Sequence, residues 1–118
     1  MTNKLNQINN TLQDLEIELN KTKRQTENLK EVDTIGYITR NQCDNLFADI
    51  AHFWKGDNAT QFLNISHEEV SFKINKLQKE TYQRIEELAV KERKIKTNIY
   101  TTEELYYQEK KQQLEEDN

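Results

Sequence analysis

From Leu5 to Leu29 the chain alternates apolar or threonine positions with polar ones at steps of three and four. Leu5, Ile8, Leu12, Leu15 and Leu19 are followed on the same count by Thr22, Thr26 and Leu29. Steps of three and four keep every one of these residues on a single stripe of an α-helix, and a seven-residue repeat is how a helix packs lengthwise on another. Asn, Gln, Lys, Glu and Asp fill most positions between them, as on a solvated face. Beyond Leu29 the apolar residues change phase. Val32, Ile35, Thr39, Cys43, Leu46, Ile50 and Phe53 form a second stripe, widened by Phe47 and Trp54. The change falls at Val32–Gly36. A glycine inside a helix costs about 1 kcal/mol relative to alanine, so Gly36 predicts a bend or a close approach to another helix, with a break as the alternative.

The strongest punctuation is Trp54-Lys55-Gly56-Asp57-Asn58. Gly56 is suited to the left-handed backbone that closes a helix. Asn58, with Gln61 three positions on, has the form of a capping box. The pattern therefore predicts one helix over about 3–54, a turn at 55–58 and a second helix over about 59–114. The second helix carries Phe62, Leu63, Val70, Ile74, Leu77, Thr81 and Ile85, then Leu88, Ile95 and Ile99. Its outer faces hold Glu69–Lys73, Glu80–Arg84, Glu87–Lys91 and Glu92–Lys96, pairs worth only ~0.2–0.5 kcal/mol each. Thr101 with Glu104 repeats the capping-box spacing and allows a kink or restart near Tyr100.

The expected fold is all-α: a long antiparallel two-helix coiled coil forming a single domain over 1–118, with arms of roughly 75 Å. Folding back at Gly56 brings Leu5 to the level of Tyr106 or Tyr107, and Leu29 to that of Ile85. Composition agrees. The 118 residues include no proline and two glycines, 34% hydrophobic and 32% charged residues. Folds with many tight connections need more breakers. A thick core needs more apolar residues, whereas a seam needs about two in seven. A two-helix hairpin covers one stripe per helix, so Phe47, Phe53, Phe62, Phe72, Tyr82, Tyr106 and Tyr107 are expected to stay partly uncovered and to call for a further helical partner.

Net charge is −4 and evenly spread, with 7 Lys/Arg and 9 Asp/Glu in residues 1–57. No basic face for nucleic acid or anionic lipid follows. No apolar run reaches the ~18–20 residues of a membrane span, and no cleavable signal is expected. The chain is expected to be cytoplasmic, and to be exported, if at all, together with a partner. Cys43, His52 and His67 match no metal-ligand spacing. A thin hairpin also gives a nucleophile no water-excluding pocket. No enzyme activity, metal or cofactor is expected.

Phe53-Trp54-x-Gly56, near mid-chain between two breaker-poor amphipathic helices, resembles the turn of the WXG100-like (ESAT-6-like) superfamily of type VII secretion. Tyr100 with Glu104 matches a second mark of that superfamily, a tyrosine followed four residues later by an acid after the second helix. The chain is longer than the simplest members. Its long charged arms and Glu-Glu-Leu-Tyr-Tyr-Gln tail at 103–108 are more similar to the small α-helical proteins that accompany LXG toxins in type VIIb systems. That resemblance implies a chaperone-like targeting factor. It would pack on the helical N-terminal domain of an LXG toxin, with or without a second small helical protein, and would present Trp54 and Gly56 for export. A homodimeric, secreted WXG100-type protein and a generic coiled-coil adaptor are the alternatives. The residues expected in the seam or against a partner are Leu5, Ile8, Leu12, Leu15, Leu19, Leu46, Ile50 and Phe53 on the first helix. On the second they are Phe62, Ile74, Leu77, Ile85, Leu88, Ile95, Ile99, Tyr106 and Tyr107.

Overall fold

A computed structural model describes residues 2–116 of the chain. Two helices, α1 (Thr2–Phe53) and α2 (Asp57–Glu116), form an antiparallel hairpin. The ladder of α1 ends where Trp54 N donates to Ile50 O at 2.8 Å, and that of α2 begins where Thr60 N donates to Gly56 O at 3.0 Å. Gly56 has φ of +118°, a backbone conformation that side chains disfavour. Its carbonyl takes the first bond of α2, so Gly56 is the N-cap residue. This corrects the expectation of an Asn58 cap: Asn58 and Gln61 lie inside α2, and it is Asp57 that meets the positive end of the helix.

Both helices run on through the positions where a break or restart was the alternative. α1 runs through Gly36. Gly36 is buried beside Gln78, and a Cβ there would meet that side chain at 3.8 Å, an ordinary contact distance. α2 runs through Tyr100. Thr101 Oγ1 donates to Thr97 O at 3.0 Å and Thr102 Oγ1 to Asn98 O at 2.7 Å. Both hydroxyls bond back into the helix instead of capping a new one.

The hairpin comprises two compact units, one formed by Glu27–Ile85 around the turn and one by the residues up to Thr26 with those from Glu86. In the end unit, Leu5, Ile8, Leu12, Leu15 and Leu19 are half-buried on the α1 side. Across from them Leu88 and Ile95 are buried, and Ile99 and Tyr106 half-buried. Full burial of a leucine such as Leu88 contributes roughly 1.5–3 kcal/mol. Thr22 is buried too, its hydroxyl satisfied by Glu18 O at 2.9 Å. Lys4–Glu109 at 3.4 Å and Lys91–Glu18 at 3.7 Å tie the two helices at their edges. They are partly exposed and add little to stability. Among the expected pairs along α2, Glu92–Lys96 closes at 3.3 Å.

The turn unit is built differently. Ala59, Ile74 and Thr81 are buried, Thr81 Oγ1 donating to Leu77 O at 2.7 Å. On α1 the covered positions are Leu29, Asp33, Gly36, Arg40, Cys43, Phe47 and Ile50, with Val32 half-buried beside them. They continue the count of three and four without a change of phase. The expected second stripe is thus corrected, because Ile35, Thr39, Leu46 and Phe53 are exposed. Polar side chains hold the seam where that stripe was expected. Arg40 Nη2 donates to Asn75 Oδ1 at 2.6 Å and to Gln78 Oε1 at 3.1 Å. Tyr82 donates its hydroxyl proton to Asp33 Oδ2 at 3.3 Å.

Candidate binding surface

Helix geometry decides where the displaced apolar residues of the turn unit go. Each residue advances about 100° around the axis, so a residue just before a seam position lies on one flank and a residue just after it on the other. Ile35 precedes Gly36, Leu46 precedes Phe47, and Phe53 follows Leu46 by one heptad. On α2, Phe62 precedes Leu63, Ile65 precedes Ser66 and Leu77 precedes Gln78. In an antiparallel pair, the same flank of both helices belongs to the same broad face. Ile35, Leu46, Phe53, Phe62, Ile65 and Leu77 therefore form one face of the turn unit, and all six are exposed. Phe53 is 86% exposed. The opposite flank supplies a check: Tyr37 follows Gly36, Tyr82 follows Thr81, and the interaction with Tyr37 first, and the negative charge of Asp33 second, push the Tyr82 hydroxyl up to about 12.

The apolar face ends at the turn. Trp54 packs on Phe62 with ring centroids 5.5 Å apart, while Phe53 meets the edge of His52 at 5.2 Å. Trp54 thus packs against α2 through Phe62, and Phe53 turns to His52 instead. Trp54 keeps 44% of its surface exposed beside Gly56, which is exposed as well. Lower on the seam, His67 bonds Asp44 Oδ1 at 3.2 Å and stacks edgewise on Phe47 at 5.9 Å. Phe47 is half-buried, in the seam rather than beside it.

In the end unit the aromatic tail divides. Tyr106 enters the seam and Tyr107 stays exposed, their rings 6.1 Å apart. Tyr100 and Glu104 are exposed one turn apart on α2. The pair lies within the second helix, not after it. Tyr100, Tyr107 and Leu114, spaced by heptads and all exposed, make a narrow row. A groove of about 470 Å³ opens between the helices beside Ile8, Thr11, Thr102 and Leu105.

Of the residues offered as seam or partner contacts, Ile50 and Ile85 are half-buried and Ile74 buried in the turn unit. Leu46, Phe53, Phe62 and Leu77 lie outside the seam, on the apolar face. Reading the sequence did not pick out Ile65, nor Asp33, Arg40 and Gln78 as seam residues. Among the described residues, no group of three His, Cys, Asp or Glu is placed to hold a metal, and no helix is long and apolar enough to cross a membrane. Cys43 is a half-buried free thiol. No family model, curated protein or solved structure matches the chain.

Proposed function

We propose that this protein is a non-enzymatic binding module that lays the apolar face of its turn unit on helices of another chain. One observation carries the reading: six large apolar side chains share one exposed face while polar groups occupy the seam behind it. Covering such a face would contribute about 25 cal/mol per Å² before the costs of association. The finer reading assigns the partner as the helical N-terminal domain of an LXG toxin, and makes the protein its targeting factor in type VII secretion. It rests on the exposed Trp54 and Gly56 at the turn, and on Tyr100 with Glu104 on the outer surface of α2.

Co-expression with an LXG domain tests both levels. The complex is expected to co-purify with the native chain and to be lost with Leu46→Ser/Phe62→Ser, while the helical content of the free protein is unchanged. A complex indifferent to that pair refutes use of this face. Trp54→Ala is expected to leave the complex intact and to stop export of the toxin. Unimpeded export would leave a coiled-coil adaptor, and a stable dimer of the chain alone would indicate self-pairing.

A further inference from the structure

Segment 27–53 of α1 carries two stripes, and only one is in use. The stripe in use passes through Asp33, Gly36, Arg40, Cys43, Phe47 and Ile50. The idle one passes through Val32, Ile35, Thr39, Cys43, Leu46, Ile50 and Phe53. It is the more apolar of the two, shares Cys43 and Ile50 with the first, and is turned from it by roughly 70° about the helix axis at 100° per residue. The two join the same upstream heptads. The stripe in use continues their count, and the idle one is reached by a run of three-residue steps from Thr26 through Leu29 and Val32 to Ile35. Such a step is a stammer, which overwinds a coiled coil locally without breaking the helix.

Hydrophobic burial alone favours the idle stripe, so something else selects the stripe in use. Its three most N-terminal members after Leu29 are the polar or small residues Asp33, Gly36 and Arg40. Arg40 forks onto Asn75 and Gln78, Asp33 accepts from Tyr82, and Gly36 lies against the Gln78 side chain. Turning the helix would break all of these contacts together. Polar residues at seam positions specify register at some cost in stability; here Arg40–Gln78 is part-buried, and the bonds to Asn75 and Tyr82 lie at the exposed edge. This layer is also incompletely satisfied: Asp33 Oδ1 and Gln78 Nε2 are buried with no hydrogen-bond partner among the described residues. Unsatisfied buried groups cost free energy, which narrows the gap between the two registers.

We propose that the Asp33–Arg40–Asn75–Gln78 layer is a rotational lock. It holds α1 in the register that displays Ile35, Leu46 and Phe53, and its release turns the segment so that these residues enter the seam. The protein thereby has a state that shows the α1 half of its apolar face and a state that conceals that half, Phe62, Ile65 and Leu77 staying exposed on α2. The rotation stands independently of any partner; only its consequence for binding rests on the function proposed above.

Neighbouring residues Leu46 and Phe47 report the register, since one is out when the other is in. With Cys43 replaced by serine, Leu46→Cys and Phe47→Cys are introduced singly, and alkylation by a small maleimide is timed on the otherwise native chain. Leu46→Cys is expected to react faster by at least about fivefold. Adding Asp33→Ala/Arg40→Ala reverses the order. Adding Ile35→Gln/Phe53→Gln to that chain, which weakens the idle stripe, restores it. An order unchanged by removing the lock, or equal rapid labelling at both positions, overturns the proposal. A second variant keeps the lock and strengthens the idle stripe on an exposed position: Thr39→Leu is expected to shrink the native ratio at least about twofold. A ratio unmoved by Thr39→Leu also overturns it.

Discussion

The end unit and the turn unit use the same helix spacing for opposite purposes. In the end unit, leucine and isoleucine form most of the seam, with Tyr106 entering it and Thr22 the buried polar residue. In the turn unit the count of three and four lands on Asp33, Gly36 and Arg40, and Ile35, Leu46 and Phe53 are turned out. One unit uses its apolar residues to hold itself together, and the other displays them. Seam residues and displayed residues should therefore respond to substitution in different assays.

The widest gap is expected in stability. Leu88→Ala removes a fully buried side chain and should lower unfolding free energy by about 2–5 kcal/mol. Leu46→Ser, on the apolar face, should change it by no more than about 0.5 kcal/mol. Urea titration followed by far-UV circular dichroism compares the two, and equal losses would erase the distinction between units. A smaller contrast separates the glycines. Gly56→Ala forces a side chain onto φ of +118° and should cost about 1–3 kcal/mol. Gly36→Ala meets Gln78 only at ordinary contact distance and should stabilise α1 by about 0.5–1 kcal/mol. Thermal melts of both variants decide this, and a destabilising Gly36→Ala would mean that the contact with Gln78 tolerates no methyl.

The least effect is expected at high pH. The Tyr82 hydroxyl is raised from 10.0 to about 12, by Tyr37 first and Asp33 second. A raised folded-state pKa means that the native state holds this proton longer than the unfolded chain does. The contribution is therefore complete below pH 10 and disappears as the pH climbs towards 12. In an ultraviolet titration of tyrosinate, Tyr82→Phe should remove the last group to ionise. A curve that instead loses an ordinary early component would place the shift elsewhere.

The regular part of this architecture was legible in the sequence. Breaker-poor arms, the mid-chain glycine and the leucine heptads from Leu5 to Leu19 specify a hairpin because apolar burial and spacing agree there. The register beyond Leu29 was not legible in the same way. Following apolar residues leads to Ile35, Leu46 and Phe53, whereas the seam runs through Gly36 and Arg40, and Arg40 bonds across it to Asn75 and Gln78. Those contacts join residues some 35 positions apart, as Arg40 and Asn75 are, and no local pattern announces them. The capping boxes misled for a related reason. Asn58, Thr101 and their acid or amide partners have the right spacing, but the ladder starts two carbonyls earlier at Gly56 and does not stop at Tyr100. The apolar face was foreseen only as uncovered aromatics; its position on one side follows from the register.

The heptad count of the end unit also acts as a ruler. Positions repeat every seven residues on α1 from Leu5 to Thr26, and on α2 from Leu88 to Tyr106. Excising seven residues from each arm at matching levels would return every remaining side chain to an equivalent neighbour, giving a shorter hairpin of the same cross-section. Excising seven from one arm alone would slide every opposing layer by a full repeat. Arm length in this protein is thus adjustable only in paired instalments.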